Sequence, residues 1–301
     1  MGIGFGRARA SHHRVQGMRP APVARLSMGR RRSQLDHVFQ SHLPSAPWMA
    51  AATRRLPGVQ PLPMDAWLIR DEAFDGQMAL RDALIAQRRE AVFAAGADTR
   101  AARAEALALV LDALDAGYAR AGDRVTRPDG VTVDLADDDP LLVAGRLVQA
   151  DLCLLAAPEP GGEPVLTDAI LCFPASWTLA EKIGRPLADI HIPVDGYTAE
   201  MATRVRRLFT ALRPGRPLWR QNALLYADPA LHQPRAERAP RHRPESRPDY
   251  LRSERQVLIR LPETGAVLFA IHTYVLPLAA LTSAQAAALE AHPVADAGRS
   301  A

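Results

Sequence analysis

The feature that most constrains the fold is a change of hydrophobic period near residue 131. Before this point, Leu107, Leu111, Leu114 and Tyr118 follow one another at spacings of four, three and four, which places them on one face of an α-helix. After it, runs rich in β-branched and aromatic residues are separated by Gly and Pro turns, as strands are. A chain that passes from helices to strands in this way predicts an α+β fold with an antiparallel sheet.

The chain divides into regions of different composition. The predicted regions are a disordered Arg-rich extension at residues 1–45, a helical part at 46–130, a sheet-bearing core at 131–292 and a polar tail at 293–301. Two helices, at 76–95 and 99–121, are expected to form a helical hairpin. Residues 229–250 carry five prolines and mixed charge, so we predict a loop or a disordered insertion there, with His232 and His242 in solvent.

Within the core, the pattern predicts strands separated by helices. Strands are expected in the apolar stretch 131–157, after the "EPGGEP" turn, and at 217–227, 255–262 and 266–278. Helices are expected at 178–184, 198–212 and 283–291, and an irregular connection at 185–197. The helices should cover one face of the sheet.

The formal net charge of +4 is unevenly distributed along the chain. Residues 1–35 contain eight arginines and no acidic residue, so the rest of the chain is net negative. This distribution disfavours a nucleic-acid-binding core. The extension itself fits a targeting segment, a nucleic-acid-binding arm, or a start codon assigned upstream of a true start at Met18 or Met28.

Several classes of site lack their sequence signature. The two cysteines, Cys153 and Cys172, are too few for an all-cysteine zinc site or an iron–sulfur cluster, and both lie in apolar runs where a thiol is typically buried. No H-E-x-x-H, G-x-S-x-G or phosphate-loop motif occurs. No run approaches about 18 apolar residues, so we expect neither a transmembrane helix nor a membrane partner, and predict a cytoplasmic protein.

One histidine stands out by its neighbours. His191 lies between Ile190 and Ile192 and is followed by Pro193, so an imidazole projects from an apolar, extended segment. Such a ring can present a neutral nitrogen to a flat apolar ligand, or it can be a buried histidine satisfied by backbone carbonyls. His272 alternates with strand residues and is predicted to belong to the sheet.

Three blocks of sequence, taken in order, carry a family resemblance. They are "ILCFPASWTLAEKIGRPLADIHIPVDGY", "RPGRPLWRQN" and "SERQVLIRLPETGAVLFAIHTYVLPLAAL". Over about residues 45–290 the chain resembles the heme-binding subunit of the heme-dependent oxidative N-demethylase family. The resemblance implies a PAS-like core sheet, heme b bound through a histidine, and oxidative removal of a methyl group from a small secondary alkylamine with dioxygen.

The resemblance also implies a separate electron donor. The chain has no dinucleotide-binding fingerprint and too few cysteines for an iron–sulfur cluster, so a flavin or iron–sulfur reductase subunit must deliver the electrons. A non-catalytic PAS-like heme sensor is the alternative function, because a fold does not fix a function.

The resemblance assigns candidate roles to individual residues. It makes His191 the axial ligand of the heme iron. Arg220 and Asn222 alternate on a predicted strand, so both would face the heme pocket and donate to dioxygen or to a propionate. A surface arginine and a strand-end asparagine are the alternative. Glu200 is a candidate acceptor for the proton of a secondary ammonium.

The remaining candidates would surround the cofactor. Lys182 and Arg185 would pair with the heme propionates. Residues expected to pack on the macrocycle, with ordinary core packing as the alternative, are Phe173, Trp177, Tyr197 and Trp219. Glu254 belongs to the third block but receives no role beyond a structural ion pair.

Overall fold

Seven antiparallel strands form the main sheet of the structure, a computed structural model that describes residues 38–54, 58–159, 162–191, 199–239 and 247–297. In chain order the strands are β1 (Gln60–Pro61), β2 (Phe93–Ala94), β3 (Ala119–Ala121), β4 (Arg124–Thr126), β5 (Thr132–Asp134), β6 (Asp151–Ala156), β7 (Val165–Ile170), β8 (Leu218–Tyr226), β9 (Tyr250–Arg260) and β10 (Val267–Pro277). The main sheet has the order β1-β8-β9-β10-β6-β7-β2, and β3, β4 and β5 form a second, smaller sheet.

Helices precede and interrupt these strands. They are α1 (Ala51–Arg54), α2 (Phe74–Val92), α3 (Arg100–Asp112), α4 (Pro140–Leu147), α5 (Leu179–Lys182), α6 (Leu187–His191), α7 (Ala199–Ala211) and α8 (Ser283–Ala291). Among the described residues, no helix combines the length and the apolar character needed to cross a membrane.

The strand register divides the main sheet into two faces. On β8 and β9, Arg220 pairs with Gln256 and Asn222 pairs with Glu254. Because successive side chains of a strand point to opposite sides, these four residues share one side of the sheet, called face A here. Trp219 lies on the other side, called face B.

Helices cover both faces of the sheet. Face B packs against α2, α3 and α4 in the main core, which includes Val110 and Leu141. The apolar part of face A, around Leu258, packs against Phe209 of α7 and against Leu212, which follows this helix. The prediction of helices on one face only is therefore wrong. The reason is that the central strands are buried on both sides, so each side needs a cover.

Most elements predicted for the core are confirmed. Strands β8 and β10 and helices α5, α7 and α8 lie where the periodicity places them, and β6 and β7 form the predicted hairpin. Strand β9 begins at Tyr250, five residues before the predicted start. The α+β class with a large antiparallel sheet is confirmed as well. The PAS-like assignment of this sheet stays a prediction.

The helical hairpin is not confirmed. Helix α3 ends at Asp112 rather than at residue 121, because the chain turns at Gly117, whose backbone N–H donates to the Asp115 carboxylate at 2.7 Å, and then enters β3. Helix α3 packs mainly against α4. The second helix of the pair is thus shorter than its leucine spacing predicts and has a different neighbour.

Two stretches of the core are helical where we predicted otherwise. Residues 140–147 form α4 instead of a strand, because the Asp139 carboxylate accepts from the backbone N–H of Leu141 at 3.0 Å and Pro140 occupies the first turn. Residues 187–191 form α6 within the connection predicted to be irregular.

The predicted insertion at 229–250 is partly a folded segment. Leu231 is buried in the main core, and Arg252 donates from Nη1 to its carbonyl oxygen at 3.0 Å. This bond draws the chain onto face A, so the prediction that His232 is solvated is wrong. His242 lies outside the described residues.

Helix α4 crosses β7 so closely that it leaves no room for a side chain at Gly145. A Cβ atom there would lie 2.6 Å from Cγ1 and 2.8 Å from Cγ2 of Ile170, which is fully buried on β7. We expect Gly145→Ala to lower the free energy of unfolding by about 1–2 kcal/mol in urea denaturation, because overpacking outweighs the gain in helix propensity of about 1 kcal/mol. In an Ile170→Ala background, which lacks both γ carbons, the added cost of Gly145→Ala should be smaller. A stabilised Gly145→Ala variant would contradict this packing.

Candidate functional site

Face A carries a row of polar side chains where β8 and β9 pair. The Glu254 carboxylate lies at the centre of this row. Its Oε2 accepts from Nδ2 of Asn222 at 3.1 Å and from Nε2 of Gln256 at 3.0 Å. The backbone N–H of Glu254 donates to Oδ1 of Asn222 at 2.9 Å. These bonds fix the orientation of the carboxylate and leave Oε1 with no hydrogen bond from the described residues.

Arg220 lies beside this carboxylate without an ion-pair partner of its own. Burial lowers the pKa of its guanidinium below the usual value, and the nearby Glu254 charge compensates only in part. Its Nε atom is buried and has no hydrogen-bond partner among the described residues. A half-buried cation whose enclosed Nε is unpaired is suited to bind an anion or another acceptor that a ligand brings.

Arg252 ties this part of the sheet to two loops. Its side chain is 2% exposed, and it donates from Nη1 to the Leu231 carbonyl at 3.0 Å and from Nη2 to the Phe173 carbonyl at 2.5 Å. Its Nε lies 3.6 Å from Oε1 of Glu254 and makes no hydrogen bond. The segments that follow β7 and β8 are therefore both held against face A by one guanidinium.

His232 follows β8 and lies in one of these two segments. Its Nδ1 is 2.8 Å from the carbonyl oxygen of Cys172, which can only accept, so Nδ1 carries the proton in this contact. The Nε2 atom is buried and has no partner among the described residues. The ring thus has one nitrogen that is enclosed by protein and unpaired in the part of the chain that the structure describes.

Unpartnered polar atoms are concentrated on this side of the sheet. Thr273 of β10 pairs with Glu254 in the register, and its hydroxyl is buried without a hydrogen bond. Of the seven such side-chain atoms in the described residues, four belong to Arg220, His232, Arg252 and Thr273. Together with Glu254 these residues form what we call the polar cluster. Since buried polar atoms normally find partners, the polar cluster is the candidate binding site.

The residues before His191 are bound within the protein. Lys182 is buried, donates from Nζ to the Ile190 carbonyl at 2.9 Å and forms an ion pair with Glu237. Arg185 also binds Glu237, at 3.1 Å. The backbone of His191 ends α6, and its side chain lies outside the described residues. Axial ligation by His191 and propionate binding by Lys182 and Arg185 stay predictions.

The other candidate residues from the sequence do not lie together in one site. Phe173 is buried, with the Arg81 guanidinium 5.3 Å from its ring centroid. Trp219 lies on face B, opposite Arg220 and Asn222, and Glu200 is exposed in the first turn of α7. Tyr197 lies outside the described residues. The sheet brings together Arg220 and Asn222 only, as their alternation predicts.

Face B has a cleft of about 550 Å³ near Trp219, Arg255 and Tyr274. His272 is a sheet residue, as predicted, and its Nε2 lies 2.9 Å from the Asp71 carboxylate, which borders this cleft. Burial raises the pKa of Asp71, but hydrogen bonds led by the one with His272 outweigh it and lower this pKa to about 2. The carboxylate is thus committed to internal hydrogen bonds with His272, Gln149 and Gln40.

Sequence reasoning missed four of the five members of the polar cluster, among them Thr273. Arg252 and Glu254 alternate on β9 as Arg220 and Asn222 do on β8, and this shared two-residue spacing is the signal that could have found them. No pattern in the neighbouring sequence marks His232, because the groups that hold it come from the segment after β7 and from β9.

Comparison with known protein families gives one match. A family model described as "Haem-dependent oxidative N-demethylase, alpha subunit-like" matches residues 58–297, which include the main sheet and the polar cluster.

Proposed function

The chain belongs to the heme-dependent oxidative N-demethylase alpha subunit-like family, and from this premise we propose that it binds heme b and demethylates a small secondary alkylamine. In the proposed reaction, dimethylamine, dioxygen, two electrons and two protons give methylamine, formaldehyde and water. The methyl group is first oxidised to a carbinolamine, whose carbon–nitrogen bond then breaks to release formaldehyde.

The observation that carries this proposal is the polar cluster with its unpartnered atoms. A heme brings two propionate anions and an iron that binds a neutral imidazole nitrogen. The cluster offers the half-buried guanidinium of Arg220 and an imidazole in His232, and the sequence around His191 predicts a second imidazole for the heme. The donor set therefore fits the group that the family name implies.

When bound, heme iron supplies the reductive activation of dioxygen. The chain's own residues would hold the amine and its proton. A secondary ammonium must lose its proton before oxidation, and Oε1 of Glu254, which lies 3.6 Å from Nε of Arg252 and accepts no hydrogen bond from the described residues, would accept that N–H. Asn222 and Gln256 hold the carboxylate from its other oxygen. Arg220 would donate to a propionate or to an oxygen atom of the oxidant. We prefer Glu254 to Glu200 because Glu200 is exposed.

Electrons would come from a partner subunit. Both cysteines are free and buried, as predicted, and burial raises the pKa of Cys172 to about 12 and that of Cys153 further. Such thiols stay protonated and are poor ligands for a redox metal. An alpha subunit-like chain with these thiols fits a complex in which a flavin or iron–sulfur reductase subunit delivers the electrons.

Heme reconstitution followed by turnover tests the proposal. We expect the purified chain supplied with hemin to show a Soret band, and to release formaldehyde from dimethylamine when dioxygen and a reductase system are added. Tetramethylammonium, a quaternary ammonium that has no N–H, is the control compound. Absence of heme binding would contradict the proposal. Heme binding without formaldehyde under any reductant would instead favour a sensor.

A further inference from the structure

The cleft on face B is lined by one side chain from each of three neighbouring strands. Trp219 of β8, Arg255 of β9 and Tyr274 of β10 form a diagonal row, because Arg255 pairs with the residue two positions after Trp219 and with the residue two positions before Tyr274. Apolar side chains, among them Pro61 and Leu62, also line the cleft. Its volume of about 550 Å³ is typical of pockets that bind small organic molecules.

The Arg255 guanidinium is held in place by the protein and still has donors that are not used. Its Nη1 donates to the Trp67 carbonyl at 2.9 Å, its Nη2 donates to the Ala66 carbonyl at 2.6 Å, and its Cζ lies 5.6 Å from the centroid of the Trp219 ring. A guanidinium has about five N–H groups, so most of them have no acceptor in the described chain. Burial lowers the pKa of Arg255, and no carboxylate of the described residues forms an ion pair with it. A half-buried cation in this state favours the binding of an anion.

Tyr274 adds a second donor to the same cleft. The residue is 3% exposed, and its hydroxyl makes no hydrogen bond with the residues that the structure describes. Unlike the hydroxyl of Thr273, it is not enclosed by protein. Burial, followed by the nearby charge of Asp71, raises the pKa of this phenol. The hydroxyl therefore keeps its proton and can donate it to an acceptor in the cleft.

The other charged residues that border the cleft are bound within the protein. Asp71 accepts hydrogen bonds from three side chains. Oε1 of Glu72 accepts from the backbone N–H and the hydroxyl of Ser41 at 2.8 and 2.9 Å. Arg70 pairs with a neighbouring carboxylate at 2.8 Å. Arg255 differs from these residues, because its charge has no counter-charge in the described part of the chain.

We propose that this cleft binds a small organic acid, in which a carboxylate is carried on a flat apolar body. The carboxylate would accept from Arg255 and from the Tyr274 hydroxyl, and the flat body would lie against Trp219 and the apolar side chains beside it. Water satisfies such donors but leaves the charge of Arg255 without a counter-ion. The cleft lies on the opposite side of the sheet from the polar cluster, so this inference does not depend on heme binding.

Isothermal titration calorimetry of the heme-free full chain with 2-naphthoate tests this proposal, and the neutral isostere 2-naphthamide is the control compound. We expect one molecule of 2-naphthoate to bind per chain, about tenfold or more tightly than 2-naphthamide. Arg255→Gln should lower the affinity for 2-naphthoate about tenfold or more and remove the preference for the acid. Tyr274→Phe, which keeps the ring, should lower this affinity about three- to tenfold. Arg120→Gln, at an exposed position of β3, is the matched control.

Circular dichroism and urea midpoints check that each variant folds, and Tyr274→Phe decides if Arg255→Gln does not fold. Absence of 2-naphthoate binding, or equal affinities for the acid and the amide, would contradict the proposal. So would an affinity that both variants leave unchanged. The heme-loaded chain should bind 2-naphthoate as tightly as the heme-free chain does. Loss of this binding on heme loading would place the acid in the heme pocket and overturn a separate site on face B.

Discussion

Replacing Arg81 by methionine is expected to lower the free energy of unfolding by about 3–5 kcal/mol. Arg81 and Asp151 form an ion pair whose side chains are 0% and 1% exposed, with 2.7 Å between Nη1 and Oδ1. The same guanidinium donates to the carbonyls of Gly145 and Ala150, both at 2.9 Å. The variant therefore leaves a buried carboxylate and two carbonyls without their donor, which costs far more than the lost attraction.

Urea denaturation followed by circular dichroism measures this effect. Arg89→Met is the matched control, because the pair of Arg89 with Asp138 is 47% and 26% exposed and should contribute at most about 1 kcal/mol. Arg81→Met combined with Asp151→Leu should recover part of the loss by removing the unpaired charge. A loss below about 1 kcal/mol in Arg81→Met would show that the pair is not isolated from water.

The second large effect is expected on catalysis. Glu254→Gln should lower kcat/KM for dimethylamine about 10²- to 10⁴-fold, the range typical for loss of a group that accepts a proton. The substitution keeps the shape of the side chain and its place between Asn222 and Gln256, but removes the negative charge that the ammonium needs. The Soret band and hemin affinity should stay unchanged.

Steady-state formaldehyde release with the heme-loaded chain and a reductase system measures this prediction. Glu90→Gln, at an exposed position of α2, is the control for charge alone. Glu200→Gln tests the acceptor that the sequence suggests, and we expect it to change kcat/KM little because Glu200 is exposed. Activity of Glu254→Gln within about threefold of wild type would assign the proton to another group.

The sequence predicts those parts of the fold that local pattern determines. Helix α8 lies at its predicted residues, and its first turn is closed by Thr282 and Gln285, a pair that can be read from the chain. Residues 140–147 were predicted as strand because a short apolar run fits a buried helix equally well. Asp139 and Pro140 are residues typical of a helix N-terminus, and they could have favoured the helix over the strand.

The candidate site was harder to predict because long-range contacts create it. Alternation on β8 places Arg220 and Asn222 on one face, but the register that brings Glu254 beside them joins residues more than thirty positions apart. His232 lies in a segment whose prolines and charged residues predict exposure to solvent. The segment is buried because Arg252 binds its backbone, a contact that no local pattern contains.

The position of β10 has a consequence for how this protein is made. In the described chain, the β6–β7 hairpin and the β8–β9 hairpin are joined in the main sheet only through β10, the last strand to leave the ribosome. Until it emerges, both hairpins have an open edge, and the polar cluster lacks Thr273. A nascent chain with this strand order depends on chaperones or rapid release to avoid edge-to-edge aggregation.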